Sequence, residues 1–212
     1  MDRHGLLHRA LRLSVLSIAL GALFGGTAVT VGLATNSLSL LGFGIDAAID
    51  SVASVVLVWR FRTEVRQPHR AERIEALAER AIGGVLLVVA VYLGVSAINA
   101  LATGAHPEAS PVRALLLVAS VITLPPLAFA KYRVARDLSS GALRADSILT
   151  GIAALLGGIG LVSLALDQLF GVTWADAVGA LVIAVIIARE GWASVQASRT
   201  PEPITPDELG GT

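Results

Sequence analysis

Apolar residues along this chain fall into six long runs separated by short polar breaks, at about 11–33, 38–59, 81–101, 112–130, 142–166 and 174–187. A helix needs about 20 predominantly apolar residues to cross a bilayer, and most of the runs meet that length. The breaks are turn-rich: ATNS after the first run, ATGAHPEASP after the third, DQLFGVT after the fifth. The predicted fold is an all-α membrane protein, a six-transmembrane-helix bundle. Residues 1–10 are expected to form an N-terminal segment, 11–195 the bundle and 196–212 a disordered tail, polar and rich in proline. The basic start MDRHGLLHRALR resembles the opening of a signal peptide. The run behind it is too long for a signal-peptide core of about 7–15 residues, so it is read as a retained span.

Composition agrees with the pattern. Of the 212 residues 55% are hydrophobic and 15% charged, against about 25% charged in a soluble domain. Mean hydropathy is +0.75. The absence of cysteine excludes disulfides, thiolate catalysis and thiolate metal sites. A formal net charge of zero gives no global field for nucleic acid, and no nucleic-acid partner is expected.

Charge distribution sets the topology. Arg3, Arg9 and Arg12 precede the first run, six arginines from Arg60 to Arg80 lie between the second and third, and Lys131, Arg133, Arg136 and Arg144 between the fourth and fifth. Arg189 and Arg199 follow the sixth, and Arg113 alone lies on the other side. The positive-inside rule then places both termini in the cytoplasm, consistent with an even number of spans. Trp59, Trp174 and Trp192 fall at span ends, where indoles prefer the interface. Glycines at 21 and 25, 83 and 84, and 157, 158 and 160 allow close helix approach, as generic packing or as a dimer seam. Glu72, Glu75 and Glu79 among arginines suggest i,i+4 ion pairs on a surface helix.

The candidate chemistry is three carboxylates inside the spans. Asp46 and Asp50 lie four residues apart on the second run, on one helical face. Asp146 lies in the fifth, with Thr150 four residues on. A carboxylate in the bilayer centre costs about 2.5–3.5 kcal/mol on an insertion scale, so each needs a partner. The segment KYRVARDLSSG is read as a basic loop, which leaves no Lys or Arg at that depth and only protons or cations as partners. At 1.5 Å rise per residue, Asp50 and Asp146 each lie roughly 10–14 Å from the cytoplasmic boundary, with Asp46 and Thr150 a turn further out. Two such pairs on antiparallel helices form an oxygen cage for a hard or borderline divalent cation, whose entry would displace protons. Structural hydrogen bonding of the aspartates is the alternative. Asp176 reads as an interfacial or capping residue, Asn99 as an interhelix hydrogen bond, and His4, His8, His69 and His106 as surface residues outside the spans. The run GFGID invites an intramembrane aspartyl protease. Ile45 interrupts the glycine–aspartate context and the aspartates share one helix, so no enzyme is expected.

The segment SLSLLGFGIDAAIDSVASVVLVWRFR, with its Asp46–Asp50 pair, resembles the second span of the cation diffusion facilitator family. HRAERIEALAER is similar to the opening of its third span, SSGALRADSILTG to its fifth and TWADAVGALVIAVIIAREGW to its sixth. The resemblance runs from about residue 11 to 192. It implies a multi-pass transporter, usually a homodimer, in the plasma (inner) membrane, exchanging a divalent metal for protons, with Asp46, Asp50 and Asp146 on the ion. It implies no cofactor beyond the transported metal and protons. The family's common pattern has Asp where this chain has Thr150, so one charged ligand is replaced by a hydroxyl. It often has a metal-sensing domain after the sixth span, for which residues 196–212 are too few. An oxygen cage points to Mn, Fe or Co by hardness, and the resemblance to Zn. A non-transporting membrane scaffold or metal-binding partner subunit is the competing reading.

Overall fold

The computed structural model describes residues 3–35, 38–66, 71–105 and 110–197. Regular structure among them is helical throughout: α1 (Arg3–Thr35), α2 (Leu38–Arg66), α3 (Ala71–Thr103), α4 (Pro111–Leu138), α5 (Gly141–Phe170) and α6 (Ala175–Ala197). Each of the six apolar runs lies within a helix, apart from Trp174 just before α6, and the helices extend beyond their runs because their polar ends also find partners. α1 starts at Arg3, and Leu6, Leu7 and Ala10 are buried in the main core, so the bundle begins before residue 11. Residues from 198 on, including most of the expected tail, lie outside the described residues, as do His69 and His106.

Three closely packed pairs organise the bundle: α1 with α2, α3 with α6, and α4 with α5. α5 also touches α2, α3 and α6, and α1 touches α4. Small residues make the close approaches possible. A Cβ on Gly83 would lie 3.1 Å from the carbonyl of Gly191, and one on Gly191 would lie 3.0 Å from the carbonyl of Gly83. That reciprocal pair is where α3 and α6 cross. α4 runs through Pro125 and Pro126 without ending; prolines are tolerated inside apolar helices whose neighbours compensate the lost backbone bonds.

The outward faces are apolar where those of a water-soluble bundle would be polar, and the apolar core also encloses charged and hydroxyl side chains. The outward faces carry Val88, Val91, Val95 and Ile98 of α3, Leu155 and Val162 of α5, and Val182, Val185 and Ile186 of α6, all exposed. Trp59, Trp174 and Trp192 are exposed too. The interior holds Lys131, Asp146, Thr150, Ser14, Ser17, Ser54, Arg60 and Glu64, all buried. An apolar surface of that extent calls for a lipid or protein environment. Among the described residues five helices are long and apolar enough to cross a membrane: α1, α3 from Glu72, α4, α5 and α6. α2, which carries the two aspartates, is not one of those five.

Candidate functional site

The interior polar site begins with a residue expected in a loop. Helix α4 does not stop at Ala130 but continues to Leu138. Its buried positions include 113, 117, 120, 124, 127, 131, 134 and 138, a regular alternation of four- and three-residue steps that marks one helical face. Lys131 lies on that face and is fully buried. The expectation that no Lys or Arg reaches the depth of the aspartates is therefore corrected: the helix continues past its apolar run, and the stripe turns Lys131 inward.

Lys131 meets Asp146 of α5. Its Nζ lies 2.6 Å from Asp146 Oδ2, and both side chains are fully shielded from solvent. The ammonium donates to Ser17 Oγ of α1 at 2.8 Å and to Thr150 Oγ1 of α5 at 3.0 Å, with a longer contact to Ser54 Oγ of α2 at 3.4 Å. Ser54 Oγ in turn donates to Asp146 Oδ1 at 3.2 Å, and Thr150 Oγ1 donates to the carbonyl of Asp146 at 3.0 Å. An ammonium has three N–H donors and no acceptor, and here oxygens from three helices receive them. Four helices thus converge on one cation position built from oxygen atoms alone.

Helix α2 adds the remaining aspartates. Asp46, Asp50 and Ser54 follow at four-residue steps along one face. The side chain of α2 bonded to Asp146 is Ser54, one turn along from the Asp50 expected at that level. Asp50 Oδ1 is buried and, among the described residues, has no hydrogen-bond partner. Asp50 lies within electrostatic reach of both Lys131 and Asp146. The side chain of Asp46 falls outside the described residues. Among the described residues no three His, Cys, Asp or Glu side chains cluster at metal-binding range; the described donors here are two carboxylates and three hydroxyls.

A second buried charge network lies at the arginine-rich end. Arg60 of α2 pairs with Glu64 at 3.0 Å and, more closely, with Glu75 of α3. Arg3 of α1 reaches Glu64 at 2.8 Å. Glu75 Oε1 accepts from Ser140 Oγ and from the backbone N–H of Ala142, both at 2.9 Å. Glu75 is thus not the i,i+4 surface partner that its sequence neighbours suggested. It faces inward because the start of α5 offers unsatisfied N–H groups and the positive end of the helix dipole. At the opposite end Asp176, in the first turn of α6, sits 3.8 Å from Arg113 of α4. Asn99 is exposed, its backbone carbonyl accepts from Thr103, and the expected interhelix bond from its side chain is not seen among the described residues. His8 Nδ1 lies 2.9 Å from the carbonyl of His4 on exposed α1 surface.

Residues 14–199 match the family of the cation efflux transmembrane domain. The chain belongs to the cation efflux family. That span takes in every residue of the interior site and reaches from α1 past the end of α6. As a cation efflux chain with five helices fit to cross a bilayer, it is an integral membrane protein. Its relatives include transmembrane protein 163 of Xenopus laevis, 31% identical over 151 residues, 71% of this chain and 52% of that protein. Another is an uncharacterized transporter of Methanocaldococcus jannaschii, 26% identical over 180 residues, 82% of this chain and 63% of that protein. The chain thus spans less than two thirds of the length of either relative.

Proposed function

We propose that this cation efflux chain is a divalent-metal transporter that exports its ion by metal/proton antiport through alternating access. The observation that carries this reading is the buried carboxylate of Asp146 together with a buried oxygen of Asp50 that has no hydrogen-bond partner among the described residues. Such a group in an apolar interior requires a counter-charge or a proton. Asp46, Asp50, Asp146 and Thr150 are the proposed ligands, with Thr150 contributing a neutral hydroxyl. In this reading α2 is the sixth span, both termini lie on the cytoplasmic side with the arginines, and the chain works as a homodimer in the plasma (inner) membrane. The name of the Methanocaldococcus jannaschii relative, a transporter, supports the same class of activity. Oxygen donors favour Mn, Fe or Co over softer ions, and Zn remains on the panel through the family likeness.

The test is flux into proteoliposomes across a panel of Zn, Mn, Fe and Co, with a pH-sensitive dye inside. Metal uptake accompanied by proton movement in the opposite direction is expected; no flux for any metal overturns the reading. One observation favours a second reading, a non-transporting scaffold or metal-binding partner subunit. Lys131 already occupies Asp146 and Thr150, so those two groups are satisfied without metal. Metal binding without flux would select that reading.

A further inference from the structure

The position that a transported cation would take already holds a cation. Lys131 Nζ is surrounded by Asp146 Oδ2, Ser17 Oγ, Thr150 Oγ1 and Ser54 Oγ at 2.6–3.4 Å. These are oxygens from α1, α2 and α5, gathered around a charge supplied by α4. Two of the proposed metal ligands, Asp146 and Thr150, are therefore engaged by the protein's own ammonium. A divalent ion at that point and a lysine ammonium cannot share it. Both need the same carboxylate oxygen, and at close range in a poorly screened interior like charges repel strongly.

Lysine suits the part for a physical reason. Its charge sits at the end of a flexible four-carbon stem with three rotatable donors, so it can fill a cage of hydroxyls and a carboxylate and can also be drawn out of it. Asp50 is placed differently. Its buried Oδ1 has no hydrogen-bond partner among the described residues, leaving a first carboxylate oxygen open to an arriving metal while Asp146 is still occupied.

We propose that Lys131 is a tethered occupant of the cation site: its ammonium holds Asp146 and Thr150 in the metal-free protein, and a divalent ion binds there only by displacing it. This rests on the metal-transport reading above. Lys131 then sets how tightly the site binds metal. Its displacement is a built-in cost that keeps affinity low enough for the ion to leave again, and it fills the cage whenever the metal is away.

The experiment measures Zn and Mn binding to the full chain in detergent, by calorimetry at constant pH, for the wild type, Lys131→Met and Lys131→Gln. Gln keeps donors for Ser17 and Thr150 without the charge, and covers the case in which Met fails to fold. The expected result is at least tenfold tighter metal binding in the uncharged variants. In Lys131→Ala, added ethylammonium should weaken metal binding in a concentration-dependent way by refilling the vacated space, and should have no such effect on the wild type. A purely structural lysine predicts neither effect. Equal or weaker binding in the folded variants overturns the proposal, and if wild-type flux is present the transport reading survives it. Tight binding in the variants with no flux in the wild type upholds the tethered lysine and removes the transport reading. No binding in any form removes both.

Discussion

The bundle buries two sets of charges, and they are satisfied to different degrees. At the arginine-rich end Arg3 and Arg60 face Glu64 and Glu75, and the one carboxylate that reaches beyond the arginines finishes on the N-terminus of α5 through Ser140 and Ala142. Each carboxylate there faces an arginine, and the network ties α1, α2, α3 and α5 together, although Arg60 Nη1 is buried without a hydrogen-bond partner among the described residues. In the interior a single ammonium faces Asp146, and Asp50 Oδ1 has no hydrogen-bond partner among the described residues. Ion pairs between helices fix a structure, whereas a buried carboxylate oxygen with neither a hydrogen bond nor an ion pair calls for a proton or a cation. Burial of charge alone therefore does not separate a structural network from a binding site. A carboxylate oxygen facing no cation and no donor does.

Asp146→Ala should break this comparison most violently. It leaves the Lys131 ammonium buried without its counter-charge, a change that costs about 3–5 kcal/mol when one member of a buried pair is removed. Thermal unfolding in detergent should show a large loss, and flux should vanish with it. A variant that keeps wild-type stability would mean that the pair contributes little to holding α4 on α5. Glu75→Ala comes next. It removes the carboxylate from Arg60 and from two donors at the start of α5, and hydrogen bonds to a charged group are worth about 1.5–3 kcal/mol. The expected outcome is a clear drop in melting temperature with metal affinity retained, because Glu75 does not touch the interior cage. Loss of metal binding in a folded Glu75→Ala protein would show that the two regions are coupled.

These two residues also mark how far the sequence could be read. Runs of apolar residues located the six helices seen among the described residues, and for five of them length and hydropathy also fit a membrane span. The same criterion hid what faces inward. In a bundle with an apolar exterior, polar residues inside and polar residues in loops look alike in composition, so KYRVARDLSSG read as a loop although most of it is the last part of α4. The four-and-three alternation of buried positions from Arg113 to Leu138, which places Lys131 on the same stripe as Leu124 and Leu127, emerges from the packing and not from the sequence. Asp50 and Asp146 were legible because a carboxylate within an apolar run is costly wherever it points. Ser17 and Ser54 were not, because a serine costs too little to stand out. Glu75 was misread because it sits among arginines and glutamates in the sequence, although its own i±4 neighbours are Ala71 and Glu79; its actual partners lie on α2 and at the start of α5.

A smaller effect is expected at the margin of the arginine-rich end. Arg144 and Glu190 link α5 to α6 at 3.6 Å with the arginine largely exposed, and exposed pairs contribute about 0–1 kcal/mol. Arg144→Ala should move the melting temperature little and reduce it less as salt rises. A loss as large as that from Glu75→Ala would place this pair inside the structural network rather than at its edge.

The smallest stability change should come from the residue whose removal matters most for transport. Asp50→Ala takes away a carboxylate whose buried Oδ1 has no hydrogen-bond partner among the described residues, so no hydrogen bond to that oxygen is lost. Its unfolding free energy should match the wild type within about 0.5 kcal/mol or exceed it, while metal-driven proton movement in proteoliposomes falls to the level of empty vesicles. Asp146→Ala cannot separate the two roles, because it disturbs folding and binding together. Asp50→Ala can. Stability kept and exchange lost would show that the open carboxylate serves the ion and not the fold. Unchanged exchange would move the metal site away from Asp50. A severe loss of stability would return Asp50 to the class of Glu75, a charge the bundle needs in order to stand.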